Sequence, residues 1–260
     1  MRTNSYILIM SNAMTSADLA ADLLAGLLVV VIPLTGPIER RVYRSNPRTA
    51  LKLLAYGVNT ALLWALTSAA VGIVGWRRLL ERPAAGTDWL WEPAIVGPAL
   101  GLGVAAYMVV ALLPMAQSLR GPRRRLAYAA AYRRSFSDLP GMLPDTGLER
   151  MGWVILSLTA GICEEILFRG FLIRFLHDLA PALPLAAALV ASSLIFGLAH
   201  AYQGPKGVLG TGLGGVVFGL LFLLTGSLIP GMILHALVDM QIAYVLRPGS
   251  AAGVPAAQAA

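Results

Sequence analysis

The chain has 260 residues, 57% of them hydrophobic and only 13% charged, with a mean hydropathy of +0.72. A soluble domain carries about 25% charged residues, so a water-facing globule is excluded and a polytopic membrane protein is indicated. The net charge of +7 falls in short loops beside apolar runs, where it reads as membrane topology and not as a nucleic-acid surface. The single cysteine, Cys163, excludes an internal disulfide and a cysteine-based metal cluster.

No cleavable signal peptide is evident, because "YILIM" near the N-terminus is too short for one. Met14 is an alternative start. A spanning helix needs about 20 mostly apolar residues, and seven runs qualify. They are 20–37, 53–76, 94–117, 151–176, 182–201, 207–225 and 228–246. The expected fold is therefore an all-α transmembrane bundle of about seven spans. Three spans and a basic loop fill 1–150, a core of four fills 151–246, and the tail 247–260 is expected to be disordered.

Basic residues orient the bundle. The loop after the first span holds Arg40, Arg41, Arg44, Arg48 and Lys52. The loop after the third holds Arg120, Arg123, Arg124, Arg125, Arg133, Arg134 and Arg150. Lys206 and Arg247 lie on the same side, against Arg2, Arg77, Arg78, Arg82 and Arg174 on the other. The positive-inside rule makes the richer face cytoplasmic, with the C-terminus inside. Within the long loop, "PRRRLAYAAAYRRSF" has the composition of a basic amphipathic helix on the inner membrane surface. Its charge serves topology equally well. In the sixth span the pairs Gly210/Gly214 and Gly215/Gly219 allow close helix approach.

The fourth span contains "AGICEEILFRGFL", with Glu164, Glu165 and Arg169 at membrane depth. Each charge there costs about 2.5–3.5 kcal/mol on insertion scales. Glu165 and Arg169 are four apart and pair on one helix face. Glu164 lies about 100° away and is left over. The fifth span ends at His200, and the seventh carries His235 with Asp239 one turn on. His177, at the outer end of the fourth span, reads as interfacial. Carboxylates with imidazoles activate water, with or without a metal. An active site, a proton pathway and structural pairing all remain open on spacing alone. Cys163, Ser192 and Ser193 read as helix-packing residues.

The order Glu-Glu-x-x-x-Arg, Phe-x-x-x-His, His-x-x-x-Asp, at Glu164–Arg169, Phe196–His200 and His235–Asp239, resembles the CPBP family of intramembrane proteases. That family is also called type II CAAX prenyl endopeptidase or Abi, and the resemblance covers about 150–246. Asp239 stands where the best-known members have Asn.

The resemblance implies an endopeptidase acting near the membrane face. Glu164 would be the general base, with His200 holding water. His235 and Asp239 would complete the site as metal ligands or oxyanion donors. Glu165, Arg169 and Phe196 would support it. A divalent metal, zinc by ligand type, would be held by His200, His235 and Asp239. The implied partners are a peptide or protein substrate and the lipid bilayer, with no nucleic acid, in a bacterial plasma membrane. A non-catalytic scaffold or immunity-type factor of the same fold is the rival reading.

Helix by helix the expected depths disagree. Glu164 falls about 20 Å from the inner end of its helix and His235 about 16 Å, but His200 only about 5 Å. Tilted helices or a re-entrant 201–207 segment are needed to close that gap.

Overall fold

A computed structural model describes residues 15–45, 47–83, 87–90 and 94–247, without the side chain of Trp89. The alternative start and the C-terminal tail lie outside the described residues.

Nine helices follow in order, and no strand occurs among the described residues. They are α1 (Ser16–Arg44), α2 (Thr49–Val74), the short α3 (Trp76–Leu80), α4 (Val96–Leu119), α5 (Pro122–Ser135), α6 (Gly147–Leu179), α7 (Leu185–Ala199), α8 (Gly204–Thr225) and α9 (Ile229–Val245). All seven apolar runs are helical. Five are long and apolar enough to cross a membrane, α8 with the turn that precedes it, while α7 and α9 are shorter. Large apolar side chains such as Val109, Ile155, Leu194, Leu213 and Ile233 point outward. A lipid solvent accounts for that belt, and the chain is an integral membrane protein.

Local chemistry sets the ends. Thr146 caps α6 and exchanges hydrogen bonds with Glu149, a capping box that satisfies amides otherwise left open. Gly226 closes α8 at φ +73°, a left-handed cap disfavoured for residues with a Cβ. The basic amphipathic segment is indeed a helix, α5, with Ala129 buried against the bundle.

Lys52 is not a free topology charge. It is 2% exposed and reaches Leu143 O at 3.0 Å, Asp145 at 2.9 Å and Glu149 at 3.5 Å. Burial pushes the Asp145 carboxyl up, but Lys52 and Arg133 outweigh it and hold the group below the ordinary aspartate range. This network ties the start of α2 to the loop before α6.

Two features differ from expectation. No re-entrant segment follows α7. A single tight turn, Ala201–Gln203, leads straight into α8. That turn packs on α1, since a Cβ on Gly36 would sit 3.1 Å from Ala201 and Arg40 donates to Tyr202 O at 2.9 Å. His200, just before the turn, meets the ring of Phe196, which in turn meets the ring of His235. The second difference is a π-helical segment, Glu165–Leu172, inside α6.

Close packing of α6 on α9 centres on Gly161. A Cβ there would lie 2.7 Å from Ala236 N and 2.9 Å from Met232 O. Backbone cannot give way as a side chain can. Gly161→Val is expected to cost at least about 1–3 kcal/mol, the usual penalty of overpacking. A lower thermal midpoint in detergent, with Gly26→Val as a comparison at an open helical site, measures it.

Candidate active site

Glu165 is wholly buried and lies between a guanidinium and an imidazole. Its Oε1 is 3.0 Å from Arg169 and 2.9 Å from His235 Nδ1. The expected Glu165–Arg169 pair is present. Arg169 makes no well-aligned hydrogen bond through either terminal nitrogen, but its guanidinium lies over Phe196 at 4.3 Å and Phe218 at 5.4 Å. Such faces attract a cation in a desolvated place. The other oxygen of Glu165 has no hydrogen-bond partner. It rests where Gly231 lacks a side chain, 3.2 Å from the position a Cβ would take.

His235 is the hub. With Nδ1–H donated to Glu165, its Nε2 faces Glu164 at 3.7 Å and Asp239 at 3.6 Å. Sequence spacing put the two glutamates on different sides of α6. They meet the same imidazole because they address its two opposite nitrogens. Phe218 stacks on the ring at 5.0 Å, and Phe196 meets it edge-on at 6.0 Å. A carboxylate that holds one nitrogen fixes which nitrogen is left free for chemistry.

Phe196 bridges to the second histidine. Its ring is 4.8 Å from His200, and its carbonyl oxygen is 2.9 Å from His200 Nδ1. Donation to that carbonyl leaves Nε2 as the free nitrogen. Glu39 of α1 is within electrostatic reach of His200. Asp239 is fixed through its backbone, where Trp153 of α6 donates to its carbonyl at 2.9 Å.

Side-chain exposure rises along the row: 0% at Glu165, 7% at His235, 14% at Glu164 and 36% at Asp239. The cluster is closed at Glu165 and opens at Asp239, toward the basic end of the bundle. Glu164 lies between the closed and the open end of that row.

The α6 π-segment supports this arrangement. Its Phe168 carbonyl accepts from Ser192 Oγ at 2.7 Å, tying α6 to α7. Gly170 admits the backbone of α3, with Leu79 O only 2.6 Å from a would-be Cβ. π-Turns inside α-helices recur at functional sites. Cys163 is buried, Ser193 back-bonds to Leu189 O, and Gly215 packs on Ser193 and Phe196. His177 stands apart from the cluster at the far end of α6.

Glu164, His235 and Asp239 are thus brought into direct contact, with His200 joined through Phe196. Phe218, Gly231 and Trp153 were missed. Glycine and aromatics in an oily run carry no pattern that separates a site wall from lipid-facing packing. Among the described residues no three His, Cys, Asp or Glu side chains are arranged to hold a metal ion. His200, His235 and Asp239 have the donor types zinc takes, but they are not gathered into a cage.

These features define a helical membrane protein with an acid–histidine cluster buried between its helices. Residues 147–241 match the family of type II CAAX prenyl endopeptidase, Rce1-like proteins. All three motifs lie within the matched segment, which is similar to that family. No curated protein and no solved structure matches the chain.

The buried triad makes an energetic prediction. Arg169→Met leaves Glu165 as a buried charge short of one partner, at a cost of about 3–5 kcal/mol. Arg169→Met with Glu165→Leu should cost less than the two single changes added together. Unfolding of the four proteins in one detergent gives that coupling, and strict additivity would show that the pair carries no interaction energy.

Proposed function

We propose that the chain is an intramembrane endopeptidase in which Glu164 activates the attacking water. The observation that carries this reading is the imidazole of His235, held through Nδ1 by Glu165 with Nε2 turned to Glu164 and Asp239. Glu164 is the one carboxylate of the glutamate pair not taken up by Arg169. It is partly reachable from the open side of the site.

In this mechanism Glu164 accepts a proton from water as the oxygen attacks the peptide carbonyl carbon. His200, with Nδ1–H on the Phe196 carbonyl, holds the water through Nε2. The new oxyanion is met by the Nε2–H of a protonated His235, whose charge the neighbouring carboxylates support. Glu164 then returns the proton to the leaving amine as the carbon–nitrogen bond breaks. Atoms and charge balance with water as the only co-reactant. Asp239 shapes the mouth and polarises His235, and Phe196 and Arg169 hold the wall. The substrate is a peptide segment that reaches the site from the membrane face. A prenylated CAAX tail, from the family's description, is one such segment.

No step is routed through a metal, because the donors are not gathered for one. In purified protein presented with quenched membrane-proximal peptides, Glu164→Ala should lose about 10²–10⁴-fold in rate. His235→Ala should fall comparably, with both variants folded. Full activity in folded Glu164→Ala would overturn the mechanism and return weight to a scaffold role. Loss of cleavage in a chelator, restored by zinc, would add the ion to the site.

A further inference from the structure

The segment matched by the family model begins at residue 147, yet one polar group of α4 faces the same centre. Three neighbours fix the face of α4 on which Tyr107 lies. Val104, three residues before it, is buried in a cluster with Phe218 and Leu234. Ala111, four residues after it, accepts a hydrogen bond from Gln241 of α9 at 3.0 Å. The Tyr107 hydroxyl itself lies 3.1 Å from where a Cβ on Gly214 would stand. Phe218, one turn along α8 from Gly214, is the ring stacked on His235.

The phenol therefore enters the seam between α8 and α9 beside the open, Asp239 side of the cluster. It is within electrostatic reach of both Asp239 and Arg169. Among the described residues no protein group hydrogen-bonds to its hydroxyl. A tyrosine hydroxyl inside a protein usually finds a partner. Here the donor is half-buried and free, next to a site that needs donors. Tyr132 is also within electrostatic reach of Asp239, but its ring packs with the aromatic cluster around Tyr43 and Trp153.

We propose that Tyr107 is a substrate-contacting residue of this site, its hydroxyl donating a hydrogen bond to the peptide carbonyl oxygen at the mouth beside Asp239. Gly214 is the residue that leaves room for it. The proposal rests on the endopeptidase reading above, and its test separates the two.

Placement is read without activity. The full chain carrying 3-fluorotyrosine at position 107, in detergent, should show a fluorine resonance that moves on Asp239→Asn and on Gly214→Ala. It should not move on Asp178→Asn at the far end of α6. A resonance indifferent to Asp239→Asn overturns the proposal whether or not the protein cleaves peptides.

Function is read beside it. Where wild type cleaves and Glu164→Ala does not, Tyr107→Phe should lower kcat about 10²-fold or more, as for loss of one oxyanion donor. KM should stay within about twofold of wild type, since the lost bond belongs to the transition state. Wild-type kcat in Tyr107→Phe overturns the role. Tyr107→Phe removes one oxygen and fills the same space, so a change in fold is checked by its thermal midpoint. A wild type that cleaves nothing while the resonance responds as expected would sink the endopeptidase reading and the substrate contact with it.

Discussion

Everything in this centre turns on one carboxylate with no access to water. Glu165 is shared by Arg169 and His235, and no other group could keep both in place. A lone carboxylate here would be costly to desolvate, and so would a lone guanidinium. Together they are held in fixed geometry, and that geometry decides the direction of the imidazole. The charge on Arg169 is further spread over the faces of Phe196 and Phe218. Those two rings also border the histidines, so the support of the cation and the wall of the site are the same atoms.

The backbone makes that arrangement possible. Gly161 lets α6 and α9 approach until main-chain atoms meet, and Gly231 leaves space for the second oxygen of Glu165. Gly161 sits four residues before Glu165 on α6, and Gly231 four before His235 on α9. On a helix that spacing puts both on one face. The site is thus a consequence of close crossing: a larger side chain at Gly161 would force the two backbones apart, and one at Gly231 would press on the Glu165 carboxylate itself. The π-helical turn that begins at Glu165 works in the same sense, offering the Phe168 carbonyl to Ser192 and bringing α7 alongside.

Much of this was legible in the sequence. Apolar runs of spanning length gave every long helix, because in lipid the backbone has to satisfy itself. Glu165 and Arg169 were readable as a pair, since four-residue spacing and opposite charge leave little choice at membrane depth. Packing of the α7–α8 turn on α1 was not readable. It depends on Gly36 and Arg40 of α1 meeting Ala201 and Tyr202, a contact over a long stretch of chain. Counting residues from a helix end could not show that Phe196 joins His200 to His235. Lys52 misled for a related reason. A cation at a helix start looks like a topology signal until Asp145 and Glu149 are seen to enclose it.

Asp239, which stands where the best-known members of the resembled family have Asn, now has a physical setting. It is the most exposed member of the row and lies 3.6 Å from His235 Nε2. An amide there could turn either a donor or an acceptor toward the imidazole, whereas a carboxylate only accepts when ionised. An ionised Asp239 could therefore not itself donate to the carbonyl oxygen that the proposed mechanism brings to this mouth. In the proposed mechanism the donors are then His235 Nε2–H and the hydroxyl of Tyr107. The free hydroxyl of Tyr107 is at the mouth as well, brought there by a helix that the family's three motifs do not include. Charge at the mouth and the missing amide donor are thus linked, and the pairing of Asp239 with Tyr107 is a more useful unit than either residue taken alone.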